Sequence, residues 1–182
     1  MTGRIIAIVG PSGVGKDSVM SGLSAIEPRL TCARRVITRP EDVGGEIFHG
    51  VTPKTFEKMQ KEGAFALCWS AHGLLYGIPT SVNVQLNAGQ DVLLNLSRSV
   101  LQTAAERFSK FEVIALTATA DALQQRLTDR GREDATDIAR RLARAPVSLP
   151  TGITSATIDN SGPLDQTVAG CISQLYPLSE KR

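Results

Sequence analysis

Apolar residues along this chain follow two rhythms. Ile5-Ile6-Ala7-Ile8-Val9, Val92 to Leu96 and Glu112 to Leu116 are short runs rich in aliphatic side chains, the pattern of strands buried on both faces. Elsewhere apolar positions recur at helical spacing. Val19, Met20, Leu23 and Ile26 share one face of a helix stopped before Pro28. Val100, Leu101, Ala104 and Phe108 form a second such set, Leu123 and Leu127 a third, and Leu164, Val168, Cys171, Ile172 and Leu175 a fourth. Thr52-Pro53 reads as N-cap and first residue of a helix that packs Phe56 and Met59 and ends at Gly63. Shorter strand-like stretches run from Arg35 to Thr38, Phe65 to Trp69 and Ala156 to Ile158, and Gly44-Gly45 marks a turn. Strands alternating with helices predict an α/β three-layer domain with a mainly parallel sheet. Ligands of such domains gather at the C-terminal ends of the strands.

Composition narrows the class. With 182 residues, 42% of them hydrophobic, the chain suits one domain with a core that needs no disulfide or structural metal. Twenty Lys and Arg against 18 Asp and Glu leave a formal charge of +2, which argues against a nucleic-acid coat. The basic residues are mostly arginines, clustered at Arg34, Arg35 and Arg39 and again between Arg126 and Arg144. Guanidinium forks suit bidentate binding of phosphate or carboxylate, so the clusters point to an anionic small ligand. Cys32, Cys68 and Cys171 are scattered without a CxxC pair and read as reduced, mostly buried thiols of a cytoplasmic protein. No apolar run reaches the roughly 18 residues needed to span a bilayer. Ile5 to Val9 is too short for a signal segment and is expected to stay in the mature protein.

The strongest chemical signal follows the first strand. Gly10-Pro11-Ser12-Gly13-Val14-Gly15-Lys16 joins that strand to the first helix. Glycines let backbone N–H groups curl around phosphate oxygens, and the helix N-terminus adds free donors and a favourable dipole. Lys16 can then reach the outer phosphates of a nucleotide. This P-loop pattern ordinarily continues with Ser or Thr as a Mg²⁺ ligand, whereas here Asp17 comes first and Ser18 second. Mg²⁺ prefers oxygen, so either residue is a candidate metal ligand, directly or through water; Asp17 as helix N-terminal decoration is the plainer reading.

The rest of the chain resembles the guanylate kinase superfamily. Thr38-Arg39, Gly45-x-x-Phe48, Phe65, His72-Gly73-x-x-Tyr76-Gly77, Arg126-Leu127-x-x-Arg130-Gly131 and Ile138-x-x-Arg141-Leu142 carry the likeness in matching order. The resemblance implies a single P-loop kinase domain over 1–182. Its core would be 1–33, 81–125 and 146–182, its acceptor-binding segment 34–80 and its lid 126–145. True guanylate kinases have a guanine-contacting glutamate where this chain has Leu67 and Ser or Thr where it has Ile78. They also have a further arginine after the one matched by Arg39, and acidic residues where it has Asn95 and Ser97. A purine edge left without polar partners loses about 1–3 kcal/mol per group, so guanine is disfavoured.

A tighter likeness is to the ribose 1,5-bisphosphate phosphokinases. It rests on Gly15-Lys16-Asp17-Ser18, Val36-Ile37-Thr38-Arg39-Pro40, Gly44-Gly45-Glu46, Trp69 to Leu74, Tyr76 to Pro79, Ser97-Arg98 and Arg130 to Glu133. In that family Asp17 is the expected residue. The likeness implies ATP- and Mg²⁺-dependent phosphorylation of the 1-phosphate of ribose 1,5-bisphosphate, giving 5-phosphoribosyl 1-diphosphate in phosphonate breakdown. It departs at Ile47-Phe48-His49, which points to an altered acceptor pocket.

Roles follow from the chemistry of phosphoryl transfer to an anionic acceptor, which is positioning plus charge neutralisation. Lys16 falls to the donor phosphates, Arg130 and Arg141 to the transferring group, and Arg39, Tyr76 and Arg98 to the acceptor phosphates. Apolar Leu67 and Ile78 are expected to line the acceptor pocket. Blander readings stand beside these: an arginine-rich helix as a solvated face, Tyr76 as packing, Arg34 and Arg35 as surface charges. Glu46 is read as orienting an arginine or binding sugar hydroxyls. His72 is read as structural, and Asp159 to Gly162 as a turn at the edge of an adenine pocket. A guanylate-type nucleoside monophosphate kinase and a non-catalytic binding domain remain alternatives. The expected partners are ATP and a sugar bisphosphate, with no nucleic acid and no membrane; homo-oligomerisation is left open.

Overall fold

A computed structural model describes residues 2–41, 46–129 and 149–177. The expected lid arginines Arg130 and Arg141, with Arg132, Arg140 and Arg144 and the Gly44-Gly45 turn, lie outside the described residues.

The first strand, β1 (Ile5–Val9), is buried at every residue. It is central because it pairs in parallel on both sides, with β7 (Asp91–Asn95) and with β8 (Phe111–Thr117). Two further parallel strands, β2 (Leu30–Cys32) and β9 (Ala156–Asp159), complete a five-stranded sheet in the order β2-β7-β1-β8-β9. Side chains alternate across it as strand geometry requires. Ile5, Ala7 and Val9 join one core with Val82, Leu101 and Ala104, whereas Ile6 and Ile8 join another with Val19, Leu23 and Val168. The second face is therefore covered by α1 (Lys16–Ile26) and α6 (Leu164–Leu175), joined by Leu123 from the helix after β8. The first face is covered by α3 (Ser81–Asn87) and α4 (Leu101–Arg107). This is the three-layer α/β arrangement expected, with α5 (Ala120–Asp129) after β8.

A second sheet of four strands, in the order β4-β3-β6-β5, is built from β3 (Val36–Ile37), β4 (His49–Gly50), β5 (Phe65–Ala71) and β6 (Leu74–Pro79). Its β5–β6 hairpin turns at His72 and Gly73, both with positive φ, so His72 serves a turn. Helix α2 (Pro53–Lys61) begins as read: the Thr55 amide donates to Thr52 Oγ1 at 3.1 Å, with Pro53 in the first turn and Phe56 buried. The sequence reading missed β2, β4, β6 and α3. Two- and three-residue strands hold too few positions to show a period, and β6 is interrupted by Gly77.

Three placements differ from expectation. Ile26 is 60% exposed, at the last residue of α1. Cys32 is exposed rather than buried, while Cys68 is half-buried and Cys171 buried, all three free. Leu67 and Ile78, cross-strand partners, are buried in the same core as Val82 and Leu94. They are core residues where the small sheet seats on the large one, not an exposed pocket wall. No helix among the described residues is long and apolar enough to cross a membrane.

Candidate active site

The chain leaves β1 at Gly10 and enters α1 at Lys16, at the C-terminal end of the central strand, where successive strands change side. The loop between them owes its shape to close contacts. Gly15 caps α1 in the left-handed region, at φ 91°, and a Cβ there would sit 2.8 Å from Asn160 Nδ2. At Gly10 a Cβ would stand 2.6 Å from the Leu116 carbonyl oxygen of β8. Side chains at these two positions would collide with the groups packed against the loop, and α1 adds a helix N-terminus without a side-chain cap. Lys16 Nζ donates to the carbonyls of Gly10 and Pro11, each at 3.1 Å, which folds its ammonium over the loop.

The loop is braced from behind. The Val14 carbonyl accepts from Asn160 Nδ2 at 2.7 Å and from Arg126 Nη1 at 3.3 Å. Asn160 is buried; its Oδ1 accepts from Thr167 Oγ1 at 2.7 Å and its amide donates to the Thr117 carbonyl at 2.7 Å. The Asp159 to Gly162 turn therefore holds the phosphate loop through its second residue. An Asx-Gly cluster reads as a turn from sequence, and only pairing across 146 positions reveals the brace.

Of the two candidate metal residues, Ser18 is exposed and Asp17 is half-buried. Asp17 Oδ1 accepts from Asn95 Nδ2 at 3.1 Å, and Asn95 is itself buried at the end of β7. Burial, with the nearby charge of Glu46, pushes the Asp17 carboxyl above the usual carboxylate range, while Lys16, Asn95 and Arg35 pull it back. Asp17 offers one half-buried carboxylate beside the loop, and Mg²⁺ usually takes one or two carboxylates plus substrate phosphates. Among the described residues no set of three or more His, Cys, Asp or Glu side chains forms a metal cage.

Opposite the loop stands the small sheet. Arg35, read from sequence as a surface charge or ligand, is only 8% exposed. Its Nε donates to Glu46 Oε1 at 2.7 Å and its Nη2 donates to Glu46 Oε2, while its guanidinium lies 5.2 Å from the centre of the Tyr76 ring. Tyr76 is buried and stacks on Trp69 at 5.2 Å, and Trp69 Nε1 donates to Ser97 Oγ at 2.9 Å. Arg39 lies 4.4 Å over the Phe48 ring with its Nε buried and, among the described residues, without a hydrogen-bond partner. Thr38 ties that segment to β6, its amide donating to the Leu75 carbonyl at 3.1 Å and its Oγ1 accepting from the Leu75 amide at 2.9 Å. Arg98 opens the 3-10 turn after β7, beside Ser97. Lys16, Arg35 and Glu46 all act electrostatically on Asp17, so the four form one alternating set of charges, with Tyr76 beside Arg35.

A family model described as Guanylate kinase matches residues 2–162. The chain belongs to the guanylate kinase family. Among curated relatives, a protein of Ruegeria sp. (strain TM1040) named Ribose 1,5-bisphosphate phosphokinase PhnN is 49% identical over 91% of this chain and 88% of its own. One of the same name from Pseudomonas fluorescens (strain SBW25) is 47% identical over 92% of each chain. Guanylate kinase from Anaplasma phagocytophilum superposes with a TM-score of 0.68 at 16% identity, covering 96% of this chain and 85% of that one, a likeness of fold. The resemblance read from the motifs thus holds at both levels, superfamily and subgroup, and the chain is a kinase.

Proposed function

We propose that this protein transfers the γ-phosphoryl group of ATP to the 1-phosphate of ribose 1,5-bisphosphate, giving 5-phosphoribosyl 1-diphosphate and ADP, in the cytoplasm and within phosphonate breakdown. The observation that carries the reading is the 49% identity, along nine-tenths of the chain, to a relative bearing that activity in its name. The site supports it. A purine edge needs polar partners, and the two positions where guanylate kinases read guanine hold Leu67 and Ile78, both buried in the core. Guanidinium groups over aromatic rings take their place, which suits an acceptor with phosphates and no base.

Bound Mg²⁺–ATP supplies the phosphoryl group and offsets its charge. The chain's own part is positioning and neutralisation. Loop N–H groups and Lys16 hold the outer phosphates; Lys16 exchanges its two carbonyl partners for phosphate oxygens. Asp17 is the residue to hold Mg²⁺, with Ser18 the alternative. Arg39 is assigned to the acceptor phosphates, beside Tyr76, with Arg98 after the end of β7. Arg130 and Arg141 are assigned to the transferring phosphoryl. No general base is required, since the attacking oxygen is already anionic.

The deciding experiment follows ADP release from Mg²⁺–ATP in parallel with ribose 1,5-bisphosphate and with GMP. Turnover on the sugar alone is expected; turnover on GMP would overturn the acceptor assignment.

A further inference from the structure

Arg35 is only 8% exposed, and so has more order than a surface charge needs. Glu46 holds two of its three nitrogens in a fork, and Nη1 has no partner among the described residues. A buried ion pair is a weak source of stability compared with apolar packing of the same volume, so its place calls for another reason. That place is specific. Arg35 and Arg39 flank β3, and their guanidinium groups lie over Tyr76 and Phe48, rings that share one buried cluster with Ile37. The two cations therefore stand over a single aromatic floor. Arg34, the neighbouring residue, is exposed. Glu46 and Arg35 also both act electrostatically on Asp17, the residue that follows Lys16.

We propose that Arg35, oriented by Glu46, is a second acceptor-phosphate ligand beside Arg39, and that the two arginines together select an acceptor carrying two phosphates. The inference rests on the function proposed above and goes further, assigning a residue and its positioning partner. Glu46 fixes the fork, so that binding need not order a long side chain. Arg35 then presents Nη1 to the anion across the Tyr76 ring.

The test is steady-state kinetics of Arg35→Lys and Glu46→Gln, varying acceptor and ATP separately and recording the thermal midpoint of each variant. A lysine keeps the charge and loses the fork. Arg35→Lys is expected to raise KM for ribose 1,5-bisphosphate by roughly tenfold or more, the loss of one charge-assisted contact, with KM for ATP within about twofold of wild type. Glu46→Gln should raise acceptor KM in the same sense by a smaller factor, and it decides the matter if Arg35→Lys fails to fold. An unchanged acceptor KM, or equal rises in both KM values with a lowered thermal midpoint, overturns the proposal in favour of a structural ion pair. Wild-type turnover on the sugar separately decides the functional reading. If the wild type uses GMP instead, the same split is read with GMP, whose phosphate would meet the same arginine.

Discussion

The two sheets meet at one site but contribute to it by different means. On the proposed function, the five-stranded sheet delivers a loop of backbone: glycines to admit a phosphate, N–H groups, a helix terminus and one lysine folded over them. The four-stranded sheet delivers side chains: Arg35 on Tyr76, Arg39 on Phe48, and the Tyr76–Trp69 stack beneath. Phosphate on a nucleotide is the same in every donor, so a backbone cradle serves it. An acceptor has its own shape, which side chains on short strands and long connections are free to match. The large sheet is accordingly buried at every residue of β1, while β3 and β4 of the small sheet have two residues each.

The largest effect that would break this contrast is at Lys16. Lys16→Ala should lower kcat by about a hundred- to a thousandfold with the far-ultraviolet circular dichroism unchanged, the magnitude typical of losing one preorganised group at developing charge. Near-normal turnover would mean that the loop does not hold the donor.

Next comes the seam between the sheets. Leu67→Glu places a carboxylate in the core that holds Ile78 and Val82, and should cost about 3–5 kcal/mol of stability by urea unfolding. The core position predicts this loss of stability ahead of any change in acceptor KM. Wild-type stability with an altered acceptor KM would return Leu67 to the pocket wall.

Asn160→Ala sharpens the comparison, because it removes a side chain on which the backbone half depends. It leaves the Val14 carbonyl with the longer Arg126 bond and Thr167 Oγ1 without its 2.7 Å partner. About 1–3 kcal/mol of stability should go, and KM for ATP should rise more than KM for the acceptor. Equal changes in both would argue against a brace on the donor side.

The smallest effect is at Asp17, between the halves. Burial raises its carboxyl, so the folded chain binds that proton more tightly than the unfolded one. This group therefore destabilises the nucleotide-free protein at neutral pH, and the penalty is relieved as pH falls through the raised range. Asp17→Asn should be slightly more stable than wild type at pH 7, with the difference shrinking towards mildly acidic pH in paired urea titrations. A constant difference across that range would show that Asp17 does not titrate as its burial implies.

Much of the donor half was legible before the structure. The alternating runs named the central strands, Thr52-Pro53 named the start of α2, and the glycine spacing named the loop. The acceptor half was legible only through family likeness. Arg34 and Arg35 are indistinguishable as adjacent letters, yet one is exposed and the other forked to Glu46. Leu67 and Ile78 read as pocket lining and fold as core, since an apolar side chain favours burial without saying against what.

The division has a physical cause. Strand and helix periods, caps and a phosphate loop are written in a few consecutive residues, because backbone geometry repeats over that length. The α/β order of the chain, its nucleotide loop and its kinase family follow from those local patterns. Pairings between distant residues depend on how the sheets and helices close on one another. Val14 with Asn160, Asp17 with Asn95 and the small sheet's cations with their rings were decided only when packing brought them within hydrogen-bond or van der Waals reach.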